Sequence, residues 1–275
     1  MNELLNFARE IGREAGRQLL DWSGRAATSI KSDGTVVTEA DHAADRYLTE
    51  QILVRYPDHE VLSEEAETRY SGRPYTWVID PLDGTTNFAL GVCYWGCSIA
   101  LLFEGMPVVG VLTVPNLGAE FWAARGEGAF LNGERLGGPA RGITERNSFL
   151  ALCSRAFRYL DLPMPQKSRL LGSAAYDLAA VAQGIAVGST QVTPHIWDIA
   201  AGWLLLQEAG RAVGPLLPDA PNPFPLDPGD DYKDRVFPLA SGADETILRT
   251  ITEGVRIKPG MEGRLARWAA AGWRR

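Results

Sequence analysis

The chain has 275 residues, 45% of them apolar, and a formal net charge of −7. That length suits one large layered domain or two closely joined halves, with enough apolar side chains for a sizeable core. The negative balance argues against nucleic acid or an anionic membrane as partner, but not against a phosphorylated substrate, because bound cations invert a local field.

In chain order, Leu4, Leu5, Ala8, Ile11, Ala15, Leu19 and Leu20 recur at helical spacing and predict an amphipathic helix at the start. This stretch is charged and lacks the apolar run and cleavage site of a signal peptide. No apolar stretch approaches the roughly eighteen residues of a membrane span, so the expected location is cytoplasmic. Ser32-Asp33-Gly34 marks a turn. A second helix is predicted from Ala40 to Tyr56, with Ala44, Tyr47, Leu48 and Ile52 as its apolar stripe and Pro57 as its stop. Tyr75 to Ile79 is a short β-rich run ending at Asp80-Pro81. Further strands are predicted at Trp95 to Phe103, Val108 to Val114 and Glu120 to Arg125, with turns at Gly105-Met106-Pro107 and Pro115-Asn116. This middle block reads as an antiparallel meander.

Beyond Asn147 strands and helices alternate. Phe149 to Cys153 and Ile185 to Val192 are predicted strands, while Ser173 to Gln183 and Ile196 to Ala209 are predicted helices, the latter closed by Gly210. Such alternation predicts an α/β second half. Pro215 to Pro238 is rich in Pro, Asp and Gly and is predicted to be a long surface loop. The final GRLARWAAAGWRR reads as a short basic helix or a frayed tail. Cys93, Cys97 and Cys153 are too few and scattered for a disulfide framework and are read as reduced core thiols.

The most informative segment is Asp80-Pro81-Leu82-Asp83-Gly84-Thr85-Thr86-Asn87. Two carboxylates three residues apart stand at the end of an apolar strand, where ligands usually sit in layered folds. Pro81 holds Asp80 extended. Gly84 allows a tight turn, and Thr85-Thr86 open a helix whose free N–H groups suit a phosphate oxygen. In isolation an Asp-x-x-Asp-Gly run is often only an acidic turn; its place after the strand favours the functional reading. Glu64 follows the apolar pair Val61-Leu62, and Asp198 lies near the start of an apolar helix, where the helix dipole also favours an acid. Thr38-Glu39-Ala40-Asp41 resembles a capping box. Together, Glu64, Asp80, Asp83 and Asp198 form an all-oxygen donor set suited to magnesium. A pair of such ions can hold an attacking water and a leaving oxygen in line.

Four stretches then stand in order: Val37 to Asp41; Leu62-Ser63-Glu64-Glu65; Trp77 to Phe88; and Trp197-Asp198-Ile199-Ala200-Ala201-Gly202. In these the sequence resembles the inositol monophosphatase family of lithium-sensitive, magnesium-dependent sugar phosphatases. The resemblance implies a mixed α/β (α+β) fold, layered helix–sheet–helix–sheet–helix as in fructose-1,6-bisphosphatase. It implies an N-terminal α+β half, 1–146, with most of the metal-binding acids, and a C-terminal α/β half, 147–275, with the last ligand and the substrate side. Two or three magnesium ions are expected: one on Glu64, Asp80 and the Leu82 carbonyl, one on Asp80, Asp83 and Asp198, and a weaker one leaning on Glu64. Asp41, Glu64 and Thr85 form the implied catalytic set, with Asp41 and Thr85 positioning the attacking water. Asp83, Gly84, Thr85, Ser173, Gln191 and Asp198 face the substrate, the backbone of Gly84 and Thr85 as a phosphate cradle.

Ser173 reads equally well as a helix N-cap. Gln191 stands where inositol monophosphatases typically carry a glutamate for ring hydroxyls. His195 adjoins the site and reads as structural or as a substrate contact. The implied activity is magnesium-dependent hydrolysis of a small phosphate monoester by metal-activated water, with inositol monophosphate or a similar polyol phosphate ranked first. Fructose 1,6-bisphosphate, histidinol phosphate and adenosine 3',5'-bisphosphate are the alternatives, and a non-catalytic metal- or phosphate-binding protein is the competing class. A homodimer is expected from the family.

Overall fold

A computed structural model of the chain describes residues 1–25, 28–30, 36–138, 148–162, 164–261, 263, 267 and 269. Helices span Asn2–Leu20 and Glu39–Arg55, close to the predicted bounds. The middle block is a seven-stranded sheet in chain order: Glu60–Ser63, Tyr75–Asp83, Gly96–Phe103, Met106–Val114, Ala119–Ala124, Gly128–Leu131 and Glu134–Arg135. Its first two strands are parallel and the rest form the expected antiparallel meander.

Alternation along these strands decides what covers each face. Trp77, Ile79, Ile99, Leu101, Val109 and Val111 pack with Leu5, Ala8, Ile11, Leu48 and Ile52 from the two N-terminal helices. Val78, Ala100, Leu102, Leu112 and Phe121 turn the other way, onto the helices Ala174–Gln183 and Ile196–Glu208. The latter helix is apolar on nearly every side because it lies between two sheets. The second sheet has the order Lys167–Arg169, Phe149–Leu152, Gly188–Gln191, Leu239–Gly242, Ala212–Pro215. Its far face, through Leu150, Leu152 and Ala240, packs on Ile251 and Val255 at the helix Glu245–Gly254, and on Ala156 and Tyr159. The layers therefore run helix, sheet, helix, sheet, helix.

Three expectations need correction. The turn predicted at Gly105-Met106-Pro107 is Glu104-Gly105, with φ of 50° and 76°, and Met106 and Pro107 already belong to the next strand. Two left-handed residues match the twist of a two-residue hairpin. The strand predicted over Ile185 to Val192 is confined to Gly188–Gln191. Pro215 to Pro238 contains little regular structure but is not a surface loop: Phe224, Leu226, Tyr232 and Phe237 are buried in the central core. The strand Leu239–Gly242 and the helix Glu245–Gly254 went unpredicted. The turn at Ser32–Gly34, the 146/147 division and most of the C-terminal tail lie outside the described residues.

Gly110 brings the middle sheet and the central helix together. A Cβ there would lie 2.8 Å from the Ala201 carbonyl oxygen, and backbone cannot yield as a flexible side chain does. Gly110→Ala is expected to lower stability by about 1–3 kcal/mol, read from the midpoint of urea unfolding. An unchanged midpoint would contradict this close approach.

Candidate active site

The strand Tyr75–Asp83 delivers the first acids. Its pairing with Gly96–Phe103 shifts register between Asp80 and Asp83, an irregularity that contains Pro81. The freed backbone turns over locally: the Leu82 N–H donates to Asp80 Oδ1 at 3.0 Å. Gly84 follows with φ 88°. A side chain there would meet the Tyr94 carbonyl oxygen at 2.9 Å, so both conformation and space call for glycine. The short helix Thr85–Leu90 then begins. Leu82 buries its side chain among Leu19, Ala40, Phe88 and Trp95, while its carbonyl oxygen lies 3.0 Å from Thr85 Oγ1, as an alternative acceptor for that hydroxyl.

Parallel pairing sets Glu64 beside this strand. Ser63 is in register with Ile79, and the Glu64 N–H donates to the Ile79 carbonyl at 3.4 Å. Ser63 also donates to Asp45, one turn beyond Asp41 on the second helix. The capping box is present: the Thr38 N–H donates to Asp41 Oδ2 at 2.8 Å, and the Asp41 N–H to Thr38 Oγ1 at 3.4 Å. The other carboxylate oxygen, Asp41 Oδ1, accepts from Thr85 Oγ1 at 3.0 Å. The structure thus brings together Asp41 and Thr85, 44 residues apart.

Asp198 arrives from the first turn of the helix Ile196–Glu208, held by the His195 N–H at 2.8 Å. Asp80, Asp83 and Asp198 each offer a carboxylate oxygen, all within 4.8 Å of one another. Burial, then the charges of Glu64, Asp83 and Asp198, push the Asp80 carboxyl well above the usual carboxylate range. Burial, then Asp83 and Glu64, does the same for Asp198, against the His195 N–H and Arg155. Burial raises Asp83 too, opposed by hydrogen bonds from Ser173 and the N–H groups of Ala175 and Ala174. Close, mutually repelling oxygens, on two buried carboxylates and one half-buried, are a set that a hard divalent cation relieves. The residues present therefore fit a metal ion.

Next to the acids lies a cavity of about 390 Å³, with Ser173, Asp177, Gln191 and Asp198 on its wall. Ser173 caps the helix Ala174–Gln183, accepting from the Tyr176 N–H at 3.2 Å, and its hydroxyl donates to Asp83. Its hydroxyl is thus committed to the cap and to a metal-cluster acid. Gln191 donates through Nε2 to Asp177 Oδ2 at 2.7 Å. The His195 ring stacks on Trp197, with centroids 4.8 Å apart.

Sequence reasoning missed Asp177, Arg155, Arg158 and Thr193, all on the cavity wall. Asp177 carried one signal: it stands four residues after Ser173, on the same helix face. The arginines carried none, because their short helix Ser154–Tyr159 was not foreseen.

The family model described as "Inositol monophosphatase family" matches residues 1–251. The chain is 36% identical over 231 residues to a protein of Pasteurella multocida called "Nus factor SuhB", covering 78% of this chain and 85% of that one. It is 33% identical over 195 residues to an Aquifex aeolicus protein called "Fructose-1,6-bisphosphatase/inositol-1-monophosphatase", covering 66% and 72% respectively. Among solved structures, the IMPase of Thermotoga maritima superposes with a TM-score of 0.75 at 26% identity, covering 92% of this chain and 98% of that one.

The raised carboxyls fix a pH dependence. A group with a higher pKa folded than unfolded makes the folded state the better proton binder, so stability falls as pH rises through that window. Asp177, pushed by burial to about 8 from an ordinary 3.8, extends the window from about pH 4 to about pH 8. In chelator, the melting temperature is expected to fall as pH is raised across that window. A divalent cation is expected to restore it most at the high end, where the ligands are ionised. A melting temperature in chelator that climbs with pH would contradict the assignment.

Proposed function

The chain belongs to the inositol monophosphatase family, and from that premise we propose that it is a magnesium-dependent phosphatase of a small, hydroxyl-rich phosphate monoester. The observation that carries this reading is a conjunction. Three carboxylates lie within 4.8 Å of one another, and a hydrogen bond of 3.0 Å ties Asp41 to Thr85, two residues beyond the Asp83 of that cluster.

Metal dependence is a property of the family. Asp80, Asp83 and Asp198 would hold one ion, and Glu64, Asp80 and the Leu82 carbonyl a second, in line with the hard oxygen donors magnesium takes. The chemistry such ions supply when bound is activation of water and neutralisation of phosphate charge. The chain's own residues do the remainder. Thr85 Oγ1, donating to Asp41 Oδ1, keeps a lone pair to accept a water proton. Asp41 is the acceptor toward which that proton moves. The Gly84–Thr85 backbone offers first-turn N–H groups to phosphate oxygens. Thr38 holds the second Asp41 oxygen, so the carboxylate cannot rotate away from Thr85. No cysteine or histidine nucleophile is required.

Inositol monophosphate or a related polyol phosphate is the first substrate, and a sugar bisphosphate the alternative favoured by the Aquifex relative's name. Homodimer formation and lithium sensitivity belong to this proposal by family resemblance, as does a division of the chain near residue 147; a cytoplasmic location belongs to it as an expectation from the sequence. The SuhB relative called a Nus factor leaves a non-catalytic role as the competing reading. Against it stands the acidic set, present at every position the reaction needs.

Phosphate release from inositol monophosphate and fructose 1,6-bisphosphate is expected with magnesium and is expected to vanish in chelator. Asp41→Asn is expected to lower kcat by about 10²–10⁴-fold with the melting temperature nearly unchanged. Asp83→Asn retains an oxygen for Ser173 and Ala175 and is expected to fold but not turn over. Wild-type-like turnover in either variant would sink the assignment of roles.

A further inference from the structure

The short helix Ser154–Tyr159 carries Arg155 and Arg158 three residues apart, hence on one face, and both line the cavity that holds Asp198. Ala156 and Tyr159 on its other side are buried with Ile251 and Val255. Arg155 is half-buried and Arg158 exposed, so one guanidinium stands deeper than the other. Arg155 donates to Thr193 Oγ1 at 2.6 Å, and its charge reaches Asp198, whose carboxyl it helps to hold down. Among the described residues no carboxylate forms an ion pair with either arginine.

Little else on this wall cancels their charge. Asp177, pushed by burial to about 8, is largely protonated at neutral pH, and Asp198 belongs to the cluster that gains from a cation. Two like charges a turn apart destabilise a helix, and no described residue offsets that cost. An anion in the cavity would offset it, and a guanidinium fork matches phosphate oxygens.

A helix of six residues does not hold its own shape in water, so the placing of the two arginines depends on its anchors. At its start the Cys153 N–H donates to the Thr190 carbonyl at 3.1 Å, and Cys153 Sγ accepts from the Val192 N–H at 3.3 Å. At its end Leu160–Asp161 pairs antiparallel with Arg256–Ile257. Lys258 completes this anchor. Its backbone N–H donates to the Tyr159 carbonyl and its Nζ to the Phe157 carbonyl, both at 2.8 Å. These are two of the carbonyls that a helix end leaves without partners. The ammonium also stands over the Phe157 ring, 5.4 Å from its centroid.

We propose that Arg155 and Arg158 bind the phosphate of the ester as it enters the cavity, and that Lys258 is a positioning residue that acts through their helix. This rests on the phosphatase reading. Arg158, the exposed cation, meets the anion first, and Arg155 receives it beside Asp198.

The test uses the magnesium-loaded enzyme with inositol monophosphate and para-nitrophenyl phosphate, and inorganic phosphate as competitive inhibitor. Arg155→Gln keeps a donor for Thr193 and removes the charge; Arg158→Gln does the same at the exposed position. Each is expected to raise KM for both esters, and Ki for phosphate, by about fivefold with kcat changed less than about twofold. Each is also expected to flatten the rise of KM with added salt. Lys258→Ala is expected to give a similar rise in KM and to add little to Arg155→Gln in the double variant. Lys258→Arg is expected to restore the wild-type value. Arg249→Ala, which removes an exposed cation from the neighbouring helix, is expected to leave KM unchanged. Wild-type KM in both arginine variants overturns the proposal. A rise confined to fructose 1,6-bisphosphate overturns it too, since the arginines would then read the alcohol half. Lys258→Ala with a lower melting temperature but unchanged KM overturns the positioning role. Should that variant fail to fold, the arginine variants decide. Wild-type hydrolysis of neither ester removes the phosphatase reading; calorimetric titration with inorganic phosphate then decides the arginines' part, weaker binding in Arg155→Gln upholding it and equal binding overturning it.

Discussion

Asp80, Asp83 and Asp198 present oxygens within 4.8 Å of one another. Ionised together, each pair repels by something on the order of 3 kcal/mol at an effective dielectric of about 20. Burial adds to that cost, which is why all three carboxyls are pushed upward. The surrounding structure answers with aimed donors: the Leu82 N–H to Asp80, Ser173 with the Ala174 and Ala175 N–H groups to Asp83, and the His195 N–H to Asp198. These donors fix where the oxygens point without neutralising them. The cluster remains a site that gains from a cation.

That constraint explains why the site gathers chain ends from several layers. Asp80 and Asp83 stand at the end of the second strand of the seven-stranded sheet, Glu64 at the end of its parallel neighbour, and Asp41 and Asp198 in the first turns of two helices. Rigid elements carry each group, and Gly84 and Gly110 permit the close approaches that side chains would block. Hydrogen bonds within the first half tie the groups together: Thr85 to Asp41, Thr38 to Asp41, and Ser63 to Asp45. Preorganisation of this kind is what hydrolysis needs, because the donors and acceptors are in place before substrate arrives.

Local chemistry was the legible part of the sequence. Strand, bend, two acids and a glycine lie within the ten residues from Tyr75 to Gly84, so this segment could be read on its own, and the N-terminal helices followed from period. The Asp41–Thr85 contact could not be read from spacing, since 44 residues separate the partners; only the resemblance paired them. Asp177 escaped because its meaning depends on Gln191 across a helix–sheet packing, although its place one turn after Ser173 was a hint. The segment from Pro215 to Pro238 misled in the other direction. Its Pro, Asp and Gly content suggested exposure, yet Phe224, Leu226, Tyr232 and Phe237 interleave those residues and fill the core. The helix Glu245–Gly254 had its signals, with Asp244 capping the Ile247 N–H at 2.8 Å and Ile251 facing inward.

The central claim is that the acid cluster is a cation site, and anomalous diffraction at the manganese edge tests it most directly, on crystals soaked in manganese as a stand-in for magnesium. The expected result is a strong peak bounded by oxygens of Asp80, Asp83 and Asp198, which disappears in crystals of Asp83→Asn. Peaks elsewhere on the molecule with none at the cluster, from protein that still hydrolyses phosphate esters, would contradict it.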